Sequence, residues 1–281
     1  MTTLVFLAVL FAALCHAGWN GLIKVGLDPL ATTTLITLGA AVVALALLPF
    51  AGLPAAAAWP WIAASVAIHL FYFVGLAESY RTGDLGQVYP IARGAAPLMT
   101  AGLATLVVGE RLSALGWIGI AVLVAGVCLV SLGGGRGLAA FDRRAVGFAL
   151  FTALTICAYS VVDGIGARLS GDPFAYVLWL FIGFALVLPS YAVLRDGTGL
   201  FKPMLHVWRR GLIGGGMQVM SYAIALWAMT LAPIALVAAL RETSVLFGAV
   251  IAVAVLREPL RATRVAAAAL VAAGLVLIRL Q

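Results

Sequence analysis

Arg93 and Arg241 are the residues of this chain best suited to hold a small anion. Each interrupts a long apolar stretch, and they stand 148 positions apart. A charge buried in lipid costs roughly 2.5–3.5 kcal/mol on insertion scales. Such a side chain needs a cavity or a partner. A guanidinium presents planar, forked donors that fit a carboxylate. Glu242 follows Arg241 directly, about 100° further round a helix. It is the only acid expected well inside a helix, where it could neutralise an arginine or carry a proton. Ser244 lies three residues beyond Arg241, on the same helix face.

Polar and aromatic residues recur around these charges. His69 and Tyr72 share one face of a segment, and Gln218 and Tyr222 sit one position beyond their repeat images. Trp19 and Asn20 lie over Tyr159 and Ser160 in the same way. Tyr89 and Pro90 precede Arg93 by one turn. Proline frees a carbonyl and loosens a helix, so Pro90 is a candidate gating bend. Simpler readings stand beside these. A lone helix histidine commonly packs, and hydroxyls in lipid commonly bond their own helix carbonyls. Asp163, Glu78 and Lys24 fall near helix ends, where snorkelling makes charge cheap. Glu110 and Glu258 read as stabilisers of tight surface turns. Trp59, Trp61, Trp117 and Trp208 read as interfacial anchors.

The elements that position these groups follow from composition. The chain is 64% hydrophobic and only 10% charged, whereas soluble domains carry about a quarter charged residues. An all-α integral membrane protein is expected. A crossing needs about 20 apolar residues. Ten segments qualify, near 3–23, 30–50, 60–80, 86–108, 113–132, 145–166, 173–194, 211–230, 233–255 and 262–280. Asp-Pro pairs open the second and seventh, and proline suits a first helical turn. The first segment lacks a basic leader and a small-residue cleavage site, so it reads as a retained helix.

Residues 87–130 align without a gap on 235–278, pairing Arg93 with Arg241, Glu110 with Glu258 and Gly126 with Gly274. Five helices per repeat is an odd number, so the second copy must enter from the opposite side. The expected organisation is a first five-helix repeat, 1–132, a cytoplasmic linker, 133–144, and an inverted repeat, 145–281. Inverted repeats typify secondary transporters with a midplane site. Twelve basic residues fall in loops on one side and three on the terminal side. The positive-inside rule then puts both termini outside, periplasmic for a bacterial inner membrane. The net charge of +7 is explained by this asymmetry, and no aromatic-interleaved basic patch suggests nucleic acid.

The motif Gly109-Glu110-Arg111-Leu112, a small-residue helix ending at Ala125-Gly126, and the second copy Arg257-Glu258-Pro259-Leu260 resemble the drug/metabolite transporter superfamily. Within it they resemble the EamA family, YddG-type amino-acid exporters being the nearest members. The resemblance implies ten helices around a central cavity and export of small metabolites by alternating access. Amino acids with aromatic or other apolar side chains are the expected substrates. Multidrug efflux is the alternative, and a channel or membrane enzyme a remote one. No Walker A loop suggests ATP. Cys15, Cys128 and Cys157 form no CxxC or Cys/His cluster, so neither metal nor another cofactor is expected. The lipid bilayer and a small-molecule substrate are the expected partners, with the proton as a candidate coupling ion.

Overall fold

A computed structural model gives the architecture. Its backbone is described for residues 1–23, 27–82, 85–132, 143–254 and 262–281. Side-chain surroundings are described for these less 23, 29, 74–82, 85–91, 130–132, 143–145 and 251–254. Helix is the only regular secondary structure among the described residues. The first half holds α1 (Thr3–Ile23), α2 (Pro29–Leu47), α3 (Trp59–Thr82), α4 (Leu85–Leu103) and α5 (Ala114–Leu132). The second holds α6 (Arg143–Leu169), α7 (Pro173–Asp196), the short α8 (Phe201–His206), α9 (Trp208–Leu231), α10 (Ile234–Arg241), α11 (Ser244–Ala254) and α12 (Ala262–Leu280).

Seven of these helices are long and apolar enough to cross a membrane, and 92–108 and 114–129 are shorter apolar helices. Local chemistry explains the starts. Asp28 accepts from the backbone N–H groups of Leu30 and Ala31, with Pro29 at the first position of α2. Asp172 repeats the device for α7, accepting from Phe174 and Ala175.

Two expectations need correction. The segment 233–255 is not one helix: it breaks at Glu242-Thr243 into α10 and α11. The run of Arg241, Glu242, Thr243 and Ser244 contains the reason. Thr243 turns its hydroxyl onto the Leu240 carbonyl at 2.7 Å, and the Thr243 N–H goes to the same carbonyl. A side chain that bonds the backbone locally competes with the helical ladder. The stretch 195–210, read as loop, contains α8.

Packing relies on close helix approach. A Cβ on Gly39 would collide with the Gly211 carbonyl, and one on Gly215 with the Ala40 backbone, so α2 and α9 touch main chain to main chain. α5 and α12 run antiparallel in contact. A Cβ on Gly126 would stand 2.8 Å from Val271, and one on Gly274 2.7 Å from Leu123. Each of these contacts is the other displaced by the 148-residue offset.

The chain ends meet at one end of the bundle. Arg279 donates to the Met1 carbonyl at 2.9 Å and to the Thr3 hydroxyl at 2.7 Å. Ser113 donates to Gln281 at 3.2 Å. α1 packs on α9 and α3 on α6, while α4 lies between α6 and α10. That crossing encloses the polar centre.

Candidate functional site

A narrow cleft opens between α1, α4, α6 and α10. His16 lines it from α1, and Arg93, Ala96, Pro97 and Thr100 from α4. Ile156, Tyr159 and Ser160 line it from α6, with Ala238, Arg241 and Glu242 from the second half's broken helix. The free space is about that of one water, so a larger molecule must part the helices or move a side chain.

The break in the α10–α11 segment organises the charges. Arg241 ends α10, where the helix dipole favours a cation. Glu242 precedes the start of α11, where the dipole favours an anion. Irregular backbone at membrane depth is tolerated where protein or a cavity surrounds it.

The two arginines have unequal surroundings. Arg93 Nε lies 2.9 Å from Glu242 Oε2, with side-chain exposures of 12% and 6%. Its Nη2 donates to Ser244 Oγ, also at 2.9 Å. Arg93 is therefore tied to the broken helix through both residues that flank Thr243. Arg241 has no carboxylate within ion-pairing distance among the described residues. Its guanidinium carbon sits 5.0 Å from the centre of the Tyr222 ring. That cation–π geometry leaves its forked donors available, and the buried Nε has no hydrogen-bond partner.

Below the cleft lies an aromatic layer. His69 stacks on Tyr159 at 4.2 Å and leans on Phe184 at 4.3 Å. Its Nδ1 is 2.9 Å from the Ser65 carbonyl, which fixes the proton on Nδ1. Tyr72 stands edge-on to His69 and Tyr159. Beneath this layer Asp163 is wholly buried, at 0% exposure. It accepts from Tyr176 at 2.9 Å on Oδ1 and from Tyr222 on Oδ2, and Ser65 adds its hydroxyl. The expectation that Asp163 snorkels at a helix end is corrected: α6 continues to Leu169, which places Asp163 inside the packed bundle.

The structure brings Arg93, Tyr159, Arg241, Glu242 and Ser244 together at the cleft. His69, Tyr72 and Tyr222 form its aromatic floor. Trp19 and Asn20 on α1 and Gln218 on α9 do not line the cleft. Trp19 meets His16 edge-on at 5.1 Å, and Asn20 donates to the His16 carbonyl at 2.8 Å. The Trp19 indole N–H and the Gln218 side-chain oxygen are buried without a hydrogen-bond partner. Tyr89 and Pro90 fall outside the described side chains, although the backbone of α4 is helical across both. His16, Thr100 and Asp163 are polar residues that sequence reasoning passed over. His16 carried one available signal, its position one turn before Asn20 on the same helix face.

Glu110 also behaves differently from expectation. Gly109 adopts φ +73°, a left-handed turn that glycine makes without strain. The turn points Glu110 across the terminal end of the bundle rather than into its own loop. There it accepts from the N–H groups of Ile234 at 2.7 Å and Ala235 at 3.2 Å, capping α10. Arg168 pairs with it at 2.8 Å and also donates to the Met229 and Ala232 carbonyls. The repeat image Glu258 lies outside the described residues.

Among the described residues no group of three His, Cys, Asp or Glu could hold a metal ion. Cys15 and Cys157 are buried and Cys128 is half-buried.

Residues 3–132 match the EamA-like transporter family. That stretch, just under half of the chain, is similar to EamA-like transporter domains. A crystal structure of another protein has the same fold. It superposes with a TM-score of 0.76 over 99% of this chain and 96% of that one, at 19% identity. No curated protein matches this chain.

Proposed function

We propose that this chain is a membrane transporter, a reading supported by the EamA-like match over residues 3–132, and that it carries small zwitterionic metabolites by alternating access. The best candidates are amino acids with aromatic or apolar side chains, moved outward across the cytoplasmic membrane. The single observation behind this reading is Arg241, a half-buried cation that forms no ion pair among the described residues, in a cleft floored by rings. A substrate carboxylate would complete its forked donors, and an apolar side chain would meet Tyr159 and Tyr222. Efflux of cationic drugs is less well supported. The one carboxylate among the described lining residues, Glu242, is already engaged by Arg93.

A ten-helix inverted repeat fits the contact pattern. α5 and α12 meet antiparallel, and the Leu123–Gly274 contact maps onto Gly126–Val271 under the repeat offset. The packing of α1 on α9 has its counterpart in α3 on α6. In this scheme the broken helix carries the site, as in other transporters built from discontinuous helices. Both termini on the outer side remains the orientation that the loop charges support.

The test is counterflow of amino acids in proteoliposomes. Labelled phenylalanine should exchange against unlabelled phenylalanine or leucine, and Arg241→Ala should abolish exchange while the protein still folds. Wild-type exchange of an aromatic cation but no amino acid would overturn this assignment in favour of drug efflux.

A further inference from the structure

We propose that Asp163 is the proton-binding group that couples transport to a proton gradient, with Tyr222 linking it to Arg241. The proposal rests on the transporter reading above, and it assigns a coupling ion and its site.

Asp163 has the burial of a core residue and the chemistry of a carrier. An acid held within lipid-spanning helices is costly as an ion unless a counter-charge meets it. Among the described residues no cation pairs with Asp163; Tyr176, Tyr222 and Ser65 surround it instead. All three are neutral hydroxyls that both donate and accept. Such a shell serves the carboxylate by donating to it and the carboxylic acid by accepting from it. Glu242 is the contrast. Its partner is the permanently charged Arg93, which fixes it as an anion.

Among the described residues the charged and titratable groups around Asp163 are few. Its own helix offers Tyr159, in the aromatic layer, and Arg168, which is committed to Glu110 and two carbonyls. α3 presents His69, whose Nδ1 proton goes to the Ser65 carbonyl. α7 presents Tyr176 and α9 presents Tyr222. α4 contributes Arg93, paired with Glu242, and α10 contributes Arg241. Arg241 is thus the one cation in this group not joined to a carboxylate.

Tyr222 connects the two ends. Its hydroxyl donates to Asp163, and its ring lies beneath the Arg241 guanidinium. The step is a simple proton transfer. A proton delivered from water on one side joins an Asp163 oxygen, forming one O–H bond. Tyr222 then ceases to donate to that oxygen, and its ring is released from the position that faces Arg241. On the other side the O–H bond breaks and the proton returns to water. No other bond forms or breaks. The proton and the substrate carboxylate are read by the same tyrosine, which is what coupling requires.

Two measurements test this. The first needs no substrate: an acid-minus-neutral infrared difference spectrum of purified protein. Wild type should show a protonated-carboxyl band that Asp163→Asn removes and Asp163→Glu shifts. A wild-type spectrum without a buried carboxyl band overturns the proposal, whatever the substrate, and Asp163→Glu decides the assignment if Asp163→Asn does not fold. The second uses proteoliposomes with the membrane potential clamped and phenylalanine as probe. Asp163→Asn should keep counterflow within about threefold of wild type, yet lose all accumulation driven by an imposed pH gradient. Asp163→Glu should restore it. Gradient-driven accumulation that survives in Asp163→Asn overturns the proposal. Absence of wild-type phenylalanine counterflow counts against the substrate reading alone, because the infrared result stands independently.

Discussion

Arg93 and Arg241 are equivalent in sequence and unequal in space. They occupy the same place in the two copies of the repeat, each followed seventeen residues later by a glutamate. Yet Arg93 is held by Glu242 and Ser244, and Arg241 rests on the face of a tyrosine. The difference follows divergence between the copies at two positions, Ser244 having Ala96 as its image. Position 242 is glutamate, and its image, position 94, is glycine. A Cβ on Gly94 would stand 2.6 Å from the Cys128 sulfur, so that site has no space for an acid. At the cleft two half-buried arginines face one carboxylate, Glu242, and among the described residues only Arg93 is paired with it. The repeat supplies the pair of cations, and divergence at 242 and 244 sets which of them is held.

The sharpest way to break that comparison is to remove each arginine in turn. Arg241→Ala should lower transport efficiency (kcat/KM) by on the order of 100-fold or more, the usual consequence of deleting one partner of a desolvated charge pair. Arg241→Lys keeps the charge but loses the fork, and should cost about tenfold, mostly in KM. Substrate titrations in proteoliposomes give both numbers. If Arg93→Ala has the larger effect on KM and Arg241→Ala leaves it unchanged, the roles are reversed.

The complementary experiment removes the acid. Glu242→Gln should leave Arg93 without its counter-ion inside the bundle and lower stability by about 3 kcal/mol. Thermal unfolding in detergent measures it. Replacing both members, as Arg93→Met with Glu242→Leu, should recover most of that loss, since an apolar pair is often as stable as a buried ion pair. A double-mutant cycle that shows no coupling between 93 and 242 would mean that the pair does not hold the broken helix.

The contact between the halves should respond next. Gly274→Leu places a side chain where Leu123 already lies, and overpacking of this kind costs typically 1–3 kcal/mol. Ala273→Leu, one residue earlier on an exposed face, is the control and should change little. Equal losses in both would show that α12 does not use this face against α5.

Much of this arrangement was legible in the sequence, and the gaps have physical causes. Segment positions were readable because apolar length reports a crossing directly. The arginines stood out because charge in an apolar run demands a partner. Which arginine was paired was not readable, because Glu242 could reach either one and only the bend at Thr243 decides. Asp163 was misjudged through an end-of-helix estimate: α6 runs three residues further than its apolar pattern, to Leu169, where Arg168 meets Glu110. His16 was missed because one histidine among apolar residues has no periodic signal of its own. The role of Glu110 was hidden because its partners lie 58 and 124 residues away, at Arg168 and Ile234.

Glu110 offers the finest test of the unequal arginines. Its carboxylate caps the start of α10, and Arg241 ends the same helix seven residues on. The cap therefore sets the axial position of the free guanidinium without touching the cleft. Glu110→Gln retains one acceptor but loses the charge that meets the helix dipole and Arg168. Arg168 is about a third exposed, so solvent screens much of that pair. The dipole and cap together leave roughly 1 kcal/mol, or about a fivefold change. If α10 is placed by this cap, the loss should appear in the KM for substrate and vanish in an Arg241→Lys background, where the fork that needs precise placement is gone. The Arg93–Glu242 pair should be indifferent to it, because Ser244 on α11 holds Arg93 from beyond the break. A fivefold effect that persists in the Arg241→Lys background would locate the action of Glu110 in the closure of the terminal end, not in the aim of Arg241.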